Sequence, residues 1–149
     1  MTQKTLILIK PDAVQRGLIG EIISRVERKG LKIVALKMLH FDQELARRHY
    51  AEHIEKPFYP ILEQYMTSSP VLAMVVSGPD AISVVRLMVG LTNGLIAPPG
   101  TIRGDFSTSN RLNLVHASDS ETAACREVAT FFESSEILDY PMTLSDWLC

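Results

Sequence analysis

The chain has 149 residues, and its 15 basic and 17 acidic side chains give a formal net charge of −2. A chain with this charge balance has no net positive potential that would attract nucleic acid or an anionic membrane, so we expect neither as a partner. The short apolar run near the N-terminus is neither a signal peptide nor a membrane span, which predicts a cytoplasmic protein. The length predicts one domain over residues 1–149.

In the first half of the chain, strand signals alternate with helix signals. β-branched residues and alternation predict strands, while apolar residues at the helical period predict helices. In chain order we expect a strand over 5–9, a helix over 19–29, a strand over 31–41, a helix from Asp42 and a short helix over 61–66.

The second half repeats this order and adds a long loop. We expect a strand over 71–76, a helix after Asp80, a loop over 92–111, a strand over 113–115 and a last helix that Ser118 caps, since Glu121 follows three residues later. Strand, helix, strand, twice over, is a doubled βαβ unit. It predicts an α+β fold with helices over one face of a four-stranded sheet.

The two cysteines form neither a disulfide framework nor a C-x-x-C motif. Cys125 falls inside the last predicted helix, and we interpret it as a packing residue. Cys149, at the C-terminus, is interpreted as a free thiol.

One histidine stands at a predicted corner between a strand and a helix. His116 follows the apolar residues of the "NLVHASDSETA" stretch and precedes the last helix. Such corners hold a side chain firmly, close to the positive end of a helix dipole. His116 is therefore a candidate base, metal ligand or nucleophile.

Phosphate-binding glycine loops are not found, since neither G-x-x-x-x-G-K-[ST] nor G-x-G-x-x-G occurs. Separated polar residues near strand and helix ends could hold a polyphosphate instead, because arginine forks and hydroxyls can converge from different elements. These residues are Lys10, Arg86, Thr92, Arg103 and Asn113. Solvated charges and ordinary salt bridges remain the alternative unless these residues surround His116.

Two other functions fit parts of the sequence. His49 and His53 are four residues apart and could form half of a zinc site, with His116 or His40 as a further ligand of a metal hydrolase. A binding module without catalysis is the second alternative. Phe58, beside Pro57, could be an exposed plate on which a nucleotide base stacks.

Four motifs together resemble the nucleoside diphosphate kinase family over essentially the whole chain. They are "IKPDAVQRGLIGEI", "HYAEHIEKPFY", "PGTIRGDF" and "NLVHASDS". The last fits the family pattern N-x-x-H-[GA]-S-D. The resemblance implies a ferredoxin-like α+β fold, with helices packed on a four-stranded antiparallel sheet.

The resemblance also implies a ping-pong phosphotransferase. His116 would accept the γ-phosphate of a nucleoside triphosphate, typically ATP, and pass it to a nucleoside diphosphate. Glu127 and Ser118 would belong to the hydrogen-bond network of this histidine, and Tyr50 would lie near it.

The nucleotide contacts follow from the same resemblance. Arg86, Thr92 and Arg103 would contact phosphates near His53 and Lys56, Lys10 and Asn113 the ribose, and Phe58 with Leu62 the base. A base that stacks on a ring without hydrogen bonds to its edges is not distinguished from other bases, which predicts that the protein accepts a broad range of nucleotides. Mg²⁺ would be held mainly through the phosphates. The family implies a homo-oligomer, with a hexamer favoured over a tetramer.

Two residues depart from the commonest family sequence, Ala117 and Gly94. Ala117 lies within the family's range, whereas Gly94 replaces a common proline in a loop that borders subunit interfaces. The Gly94→Pro variant is therefore expected to gain roughly 0.4–1 kcal/mol of stability, if φ is near −65° and the Gly94 N–H is unpaired.

Overall fold

The computed structural model describes residues 1–148 and contains one antiparallel sheet. Its strands are β1 (Thr2–Ile9), β2 (Lys32–Leu39), β3 (Val71–Pro79) and β4 (Val115–Ala117), in the spatial order β2-β3-β1-β4. β1 pairs with β3 along its length and with β4 near its end, where Leu8 lies opposite His116. The predicted four-stranded antiparallel sheet is confirmed.

Seven α-helices connect or follow these strands within the described residues. They are α1 (Pro11–Gln15), α2 (Ile19–Arg28), α3 (Gln43–His49), α4 (Tyr59–Met66), α5 (Ala81–Val89), α6 (Ile102–Phe106) and α7 (Glu121–Phe131). Three short 3-10 turns cover Ala51–His53, Ser134–Glu136 and Ser145–Trp147. None of the helices in residues 1–148 is long and apolar enough to cross a bilayer.

Helices cover both faces of the sheet, so the expectation of one covered face is wrong. Ile7 and Ile9 of β1 pack in a cluster with residues of α2 and α5. Leu6 and Leu8 point the other way, into a cluster with residues of α3, α4 and α7. The physical reason is the unbroken apolar run of β1, since a strand covered on both faces has no polar alternation.

Three local predictions differ from the structure at the second half of the chain. The long loop contains α6, whose N-terminus is capped by Thr101 Oγ1, an acceptor from the Gly104 N–H at 3.0 Å. The last helix is capped by Ser120, which accepts from the Ala123 N–H at 3.1 Å. Ser118 lies before this cap, so the capping prediction fails by two residues. The fourth strand starts at Val115 rather than at residue 113.

Gly94 does not meet the conditions set for a stabilising proline. Its N–H donates to the Ser109 carbonyl oxygen at 3.1 Å, a bond that proline cannot make. A Cβ atom at this position would lie 2.4 Å from Ser107 Oγ. The condition for the expected gain in stability is therefore not met in this loop.

The segment after α7 runs beside the edge strand β2. The Leu138 N–H donates to the Val34 carbonyl oxygen at 2.8 Å, and Lys32 Nζ lies 2.7 Å from Asp139 Oδ1. Trp147 remains 85% exposed. Cys125 is exposed on α7, which contradicts its interpretation as a packing residue. Cys149 lies outside the described residues.

Candidate active site

His116 lies at the centre of β4 and is held by a carboxylate of α7. Its side chain is 24% exposed, and Nε2 lies 2.9 Å from Glu127 Oε2. α7 follows β4 after a short connection and packs on β1, the strand that pairs with β4, so Glu127 can reach His116. His116 therefore has one ring nitrogen fixed by the protein and one edge near solvent.

Glu127 is the anionic centre of this pair. Burial alone would raise its pKa, but hydrogen bonds from His116 and Ser118 and nearby positive charge lower the pKa to about 2. Ser118 is fully buried, and its hydroxyl donates to Glu127 Oε2 at 2.6 Å. Ser118 therefore orients the carboxylate rather than the helix end.

A backbone turn in an unusual conformation precedes His116. Leu114 has φ of +73° although it is not glycine, and it is fully buried. Left-handed backbone costs roughly 1–3 kcal/mol at such a residue and persists only where the surroundings fix it. The Leu114 N–H donates to Asp12 Oδ2 at 3.1 Å, and its carbonyl oxygen accepts from the Lys10 N–H at 2.8 Å. The end of β1 thus fixes the start of β4.

Two arginines hold the backbone on either side of His116. Arg103 Nη2 donates to the Val115 carbonyl oxygen at 2.7 Å, and Arg86 Nη1 donates to the Ala117 carbonyl oxygen at 3.3 Å. Arg103 also bonds the carbonyl oxygens of Asn113 and Gly90, at 3.2 and 3.0 Å. The guanidinium groups predicted from sequence therefore do surround His116.

Lys10 belongs to the same cluster of cations. Its Nζ donates to Asn113 Oδ1 at 2.8 Å, while Asn113 Nδ2 donates to the Thr92 carbonyl oxygen at 3.1 Å. Burial, and then the charge of Arg103, lower the pKa of Lys10 to about 8. Burial, and then Arg86, lower the pKa of Arg103 to about 10.

This cluster carries positive charge that the protein leaves unpaired. Lys10 is 9% and Arg103 is 3% exposed, yet none of the ion pairs within residues 1–148 involves Lys10, Arg86 or Arg103. Asp12 offsets only part of the charge on Lys10. Buried unpaired cations are costly in free energy, so the arrangement favours an anionic ligand.

Two cavities meet beside His116. One of about 300 Å³ is lined by His116, Glu127 and Tyr50, and one of about 660 Å³ is lined by Arg86 and Thr92. Asp119 borders both. Thr92 and Asp119 are exposed, whereas Ser118, Lys10, Arg103 and Asn113 are buried beneath.

Tyr50 and Phe58 differ in their relation to this site. Tyr50 is buried, and its hydroxyl has no hydrogen-bond partner in the described part of the chain. Burial and then the Glu127 charge raise the pKa of Tyr50, so it remains a neutral phenol. Phe58 is 49% exposed, outside both cavity linings, with its ring centroid 5.6 Å from that of His53.

The geometry does not support the zinc-site alternative. His49 ends α3, while His53 lies on the next 3-10 turn, so the two do not share one helix face. His49 meets His116 ring against ring, with centroids 4.8 Å apart and planes at 90°. Among residues 1–148, no three His, Cys, Asp or Glu side chains are grouped to hold a metal ion.

Sequence reasoning missed three residues that shape the site. Asp12 accepts from Leu114 and from the Tyr65 hydroxyl, and Arg126 lies 3.2 Å from Glu52 and 3.9 Å from Glu127. For His49, the sequence suggests only the role of a metal ligand. Asp12 had a signal in the "IKPD" motif, whereas Arg126 looks like any charge on a helix surface.

Comparisons with known proteins identify the class of enzyme. The family model for nucleoside diphosphate kinase matches residues 3–137. A nucleoside diphosphate kinase of Rhodopirellula baltica is 56% identical over 146 residues, which cover 98% of this chain and 96% of the relative.

Solved structures of the same class superpose on this fold. A halophilic nucleoside diphosphate kinase from Halobacterium salinarum in complex with CDP has a TM-score of 0.97 and 47% identity, covering 100% of this chain and 99% of its own. A transition-state mimic of the nucleoside-diphosphate kinase from Borrelia burgdorferi, with bound vanadate and ADP, has a TM-score of 0.92 and 41% identity. The match covers 99% of this chain and 98% of the other.

Fold, site and relatives together define a nucleotide-binding phosphotransferase, which excludes the alternative of a silent binding module. The chain belongs to the nucleoside diphosphate kinase family.

Proposed function

We propose that this kinase transfers the γ-phosphate of a nucleoside triphosphate, typically ATP, to a nucleoside diphosphate in two steps through a phosphohistidine at His116. The observation that carries the proposal is the hydrogen bond from His116 Nε2 to Glu127 beside a cluster of unpaired cations. It leaves Nδ1 as the nitrogen without a hydrogen-bond partner in residues 1–148. A nitrogen so presented is a suitable nucleophile.

In the first step, Nδ1 attacks the γ-phosphorus, and a nitrogen–phosphorus bond forms. The bond from phosphorus to the bridging oxygen breaks, and the nucleoside diphosphate leaves with that electron pair. The proton on Nε2 stays on the ring, where Glu127 stabilises the positive charge that develops. In the second step a terminal oxygen of another nucleoside diphosphate takes the phosphoryl group from Nδ1.

Phosphoryl transfer requires the protein mainly to position the transferred group and to neutralise its negative charge, and the cation cluster can supply the positive charge. We propose that Arg86, Arg103 and Thr92 contact phosphates, with His53 and Lys56 nearby. Lys10 and Asn113, already bonded to each other at 2.8 Å, would contact the ribose.

Broad nucleotide specificity is proposed from Phe58. Its exposed ring, with Leu62 beside it on α4, offers a π-face to any base and few polar groups to any edge. The relatives with bound CDP and ADP hold a pyrimidine and a purine nucleotide, which supports this proposal.

The residues present fit Mg²⁺ held through phosphate oxygens. Asp119 is the carboxylate that borders both cavities, and a single carboxylate suits an ion that keeps several waters. When bound, Mg²⁺ would neutralise charge on the phosphates. Arg86 and Thr92 line the adjoining cavity and would bind and orient the same phosphates.

Tyr50 would contribute a neutral hydroxyl near the nucleophile. It lines the same cavity as His116, and its raised pKa keeps its proton in place at working pH. We propose that it donates a hydrogen bond toward the transferred group without itself exchanging a proton.

We further propose that the chain acts as one catalytic domain in a cytoplasmic homo-oligomer, a hexamer rather than a tetramer. The support is the family resemblance over the whole chain. Sedimentation velocity at several protein concentrations distinguishes the two assemblies, and a stable monomer would contradict both.

The proposed mechanism is tested by incubating the protein with γ-labelled ATP and Mg²⁺ without an acceptor. We expect acid-labile, base-stable label on His116, released by either GDP or CDP. The His116→Ala variant should retain ADP binding and lose turnover by roughly a thousandfold or more. His40→Ala, at an exposed histidine, is the matched control. Turnover within tenfold of the parent in His116→Ala would exclude the phosphohistidine route.

A further inference from the structure

A second histidine lies in contact with the proposed nucleophile. His49 is the last residue of α3 and is 8% exposed. Its ring centroid lies 4.8 Å from that of His116, with the two planes perpendicular. This side chain touches the reacting residue, yet the two-step mechanism above assigns it no part.

His49 is itself fixed by a box of aromatic rings. Its centroid lies 4.5 Å from Tyr50, 5.2 Å from Phe131 and 6.1 Å from Phe41, with each pair of rings edge to face. Perpendicular pairs at these distances are the favoured aromatic geometry. Because the box draws on α3, α7 and the segment before α3, His49 is a rigid wall for His116.

The contact between the two histidines is ring packing. Neither Nδ1 nor Nε2 of His49 has a hydrogen-bond partner in the described chain, and both atoms are shielded from solvent. A hydrogen bond from His49 to His116 is therefore not part of this arrangement. His49 therefore interacts with His116 only through the packing of its ring.

His49 also stays uncharged beside the Glu127 carboxylate and its partner His116. Burial, and then the neighbouring His116, lower its pKa to about 3, with Lys10 and Arg126 acting in the same direction and Glu127 opposing them. A neutral ring neither competes with His116 for Glu127 nor repels the positive charge that develops on His116.

His116 is thus restrained on two sides, by Glu127 at Nε2 and by the ring of His49. The hydrogen bond alone fixes one atom, and the side chain could still swing about its first torsion. Packing against a rigid wall removes that freedom, and reaction rates depend steeply on such orientation.

We propose that His49 is a positioning residue for phosphoryl transfer, whose ring holds the His116 imidazole so that Nδ1 faces the nucleotide. This inference rests on the proposed phosphohistidine mechanism. It assigns no proton transfer and no substrate contact to His49.

The test compares His49→Ala with His49→Phe in single-turnover labelling by γ-labelled ATP. In the alanine variant we expect the labelling rate to fall roughly 10- to 100-fold, while the Kd for ADP stays unchanged. Without the ring of His49, a fraction of the His116 side chains should also be phosphorylated on Nε2 instead of Nδ1. Phosphorus NMR of the base-denatured protein distinguishes the two products. His49→Phe should restore the rate and the pure Nδ1 product, because it retains a ring.

Met66→Ala is the control for loss of packing. Met66 is fully buried in the same apolar cluster and has no assigned role in the site. It should lower the denaturation midpoint without changing the labelled nitrogen. If His49→Ala does not fold, His49→Leu takes its place with the same expected results.

Two results would overturn the inference. One is a parent-like rate with all label on Nδ1 in the alanine variant. The other is a phenylalanine variant as slow as the alanine variant, which would assign the effect to the ring nitrogens. Failure of the parent protein to label at all would instead contradict the proposed mechanism.

Discussion

Arg103 serves the site through its backbone contacts as well as its charge. Its guanidinium donates to the carbonyl oxygens of Gly90, at the end of α5, and of Asn113 and Val115, on both sides of Leu114. The phosphate contact proposed for Arg103 would therefore come from a side chain that is already held in place. Preorganised charge of this kind costs no rearrangement when the transition state forms.

The Arg103→Ala variant is predicted to lose both stability and rate. The Val115 and Gly90 carbonyl oxygens would lose the donor that Arg103 supplies, whereas the Asn113 carbonyl oxygen keeps the Val115 N–H as a donor. The loss of stability is therefore roughly 1–3 kcal/mol. The kcat should fall more than the affinity for nucleotide, because transferred charge is greatest in the transition state. Denaturant midpoints and steady-state kinetics measure the two effects separately. An unchanged kcat with only a raised KM would make Arg103 a uniform binding group.

The Phe58→Ala variant is predicted to weaken all nucleotides by a similar factor. Loss of a base stack costs roughly 1–3 kcal/mol. The ring is half exposed, so its removal leaves no cavity in the core and should not change stability. Calorimetric titration with ADP, GDP and CDP checks this directly. A loss confined to one base would indicate edge recognition by other residues.

At the residue scale, candidate site residues could be named from the sequence, but their hydrogen bonds could not. Arg86 and Arg103 bond the backbone on either side of His116, and Lys10 bonds Asn113, because each stands near the end of a strand or helix. The hydrogen bonds from Arg103 to the Asn113 and Val115 carbonyl oxygens could not be expected, because these carbonyls flank the left-handed turn at Leu114. No residue type in that turn signals its conformation, as leucine rarely adopts it.

At the element scale, the sequence predicts the long helices and strands, whose apolar residues recur with a clear period, but not the short ones. The strands near residues 5, 31 and 71 and the helices near 19, 81 and 121 all exist, because their apolar faces are buried. α6 has five residues, too few to show a helical period, and it lies among turn formers. The Ser118 cap was predicted two residues too early, because the Ser118 hydroxyl bonds Glu127 while Ser120 caps the helix.

The loop at Gly94 yields a prediction at this same scale. Gly94→Pro is expected to lower the free energy of unfolding by roughly 1–3 kcal/mol, because the bond to the Ser109 carbonyl oxygen is lost and the ring meets Ser107. Urea midpoints of parent and variant at matched protein concentration measure the change.

Gly100→Ala is the comparison for this loop. Gly100 has φ of +93° but open space around it, so alanine there tests backbone strain alone. A Gly94→Pro variant as stable as its parent would show that the loop rearranges without loss.

For the whole molecule, the lowered pKa values of two buried groups, His49 and Glu127, predict that stability falls in acid. The pKa of His49 falls from 6.5 to about 3 on folding, so between these values the unfolded chain binds a proton that the folded protein does not. Stability from this source is lost as pH falls below 6.5, by about 2 kcal/mol at pH 5. Glu127, lowered from 4.5 to about 2, adds a further loss below pH 4.5.

This pH dependence is measured by urea unfolding at pH 7.5 and pH 5. His49→Phe cannot titrate, so its stability should fall less between these values than that of the parent. His40→Phe, at an exposed histidine, is the control and should behave as the parent does. Equal slopes for parent and His49→Phe would show that His49 is protonated in the folded state.

The pairing of β1 with β4 has a consequence for when activity appears during folding. Lys10 bonds Asn113 and Leu6 bonds Ser118, contacts that join residues 103 and 112 positions apart in the chain. Closing so long a loop is entropically costly and is a slow kind of folding event. Helices form from local contacts, but His116, the proposed nucleophile, gains its surroundings only when β4 pairs with β1. Enzymatic activity thus reports completed folding, and a nascent chain gains it only after α7 has left the ribosome.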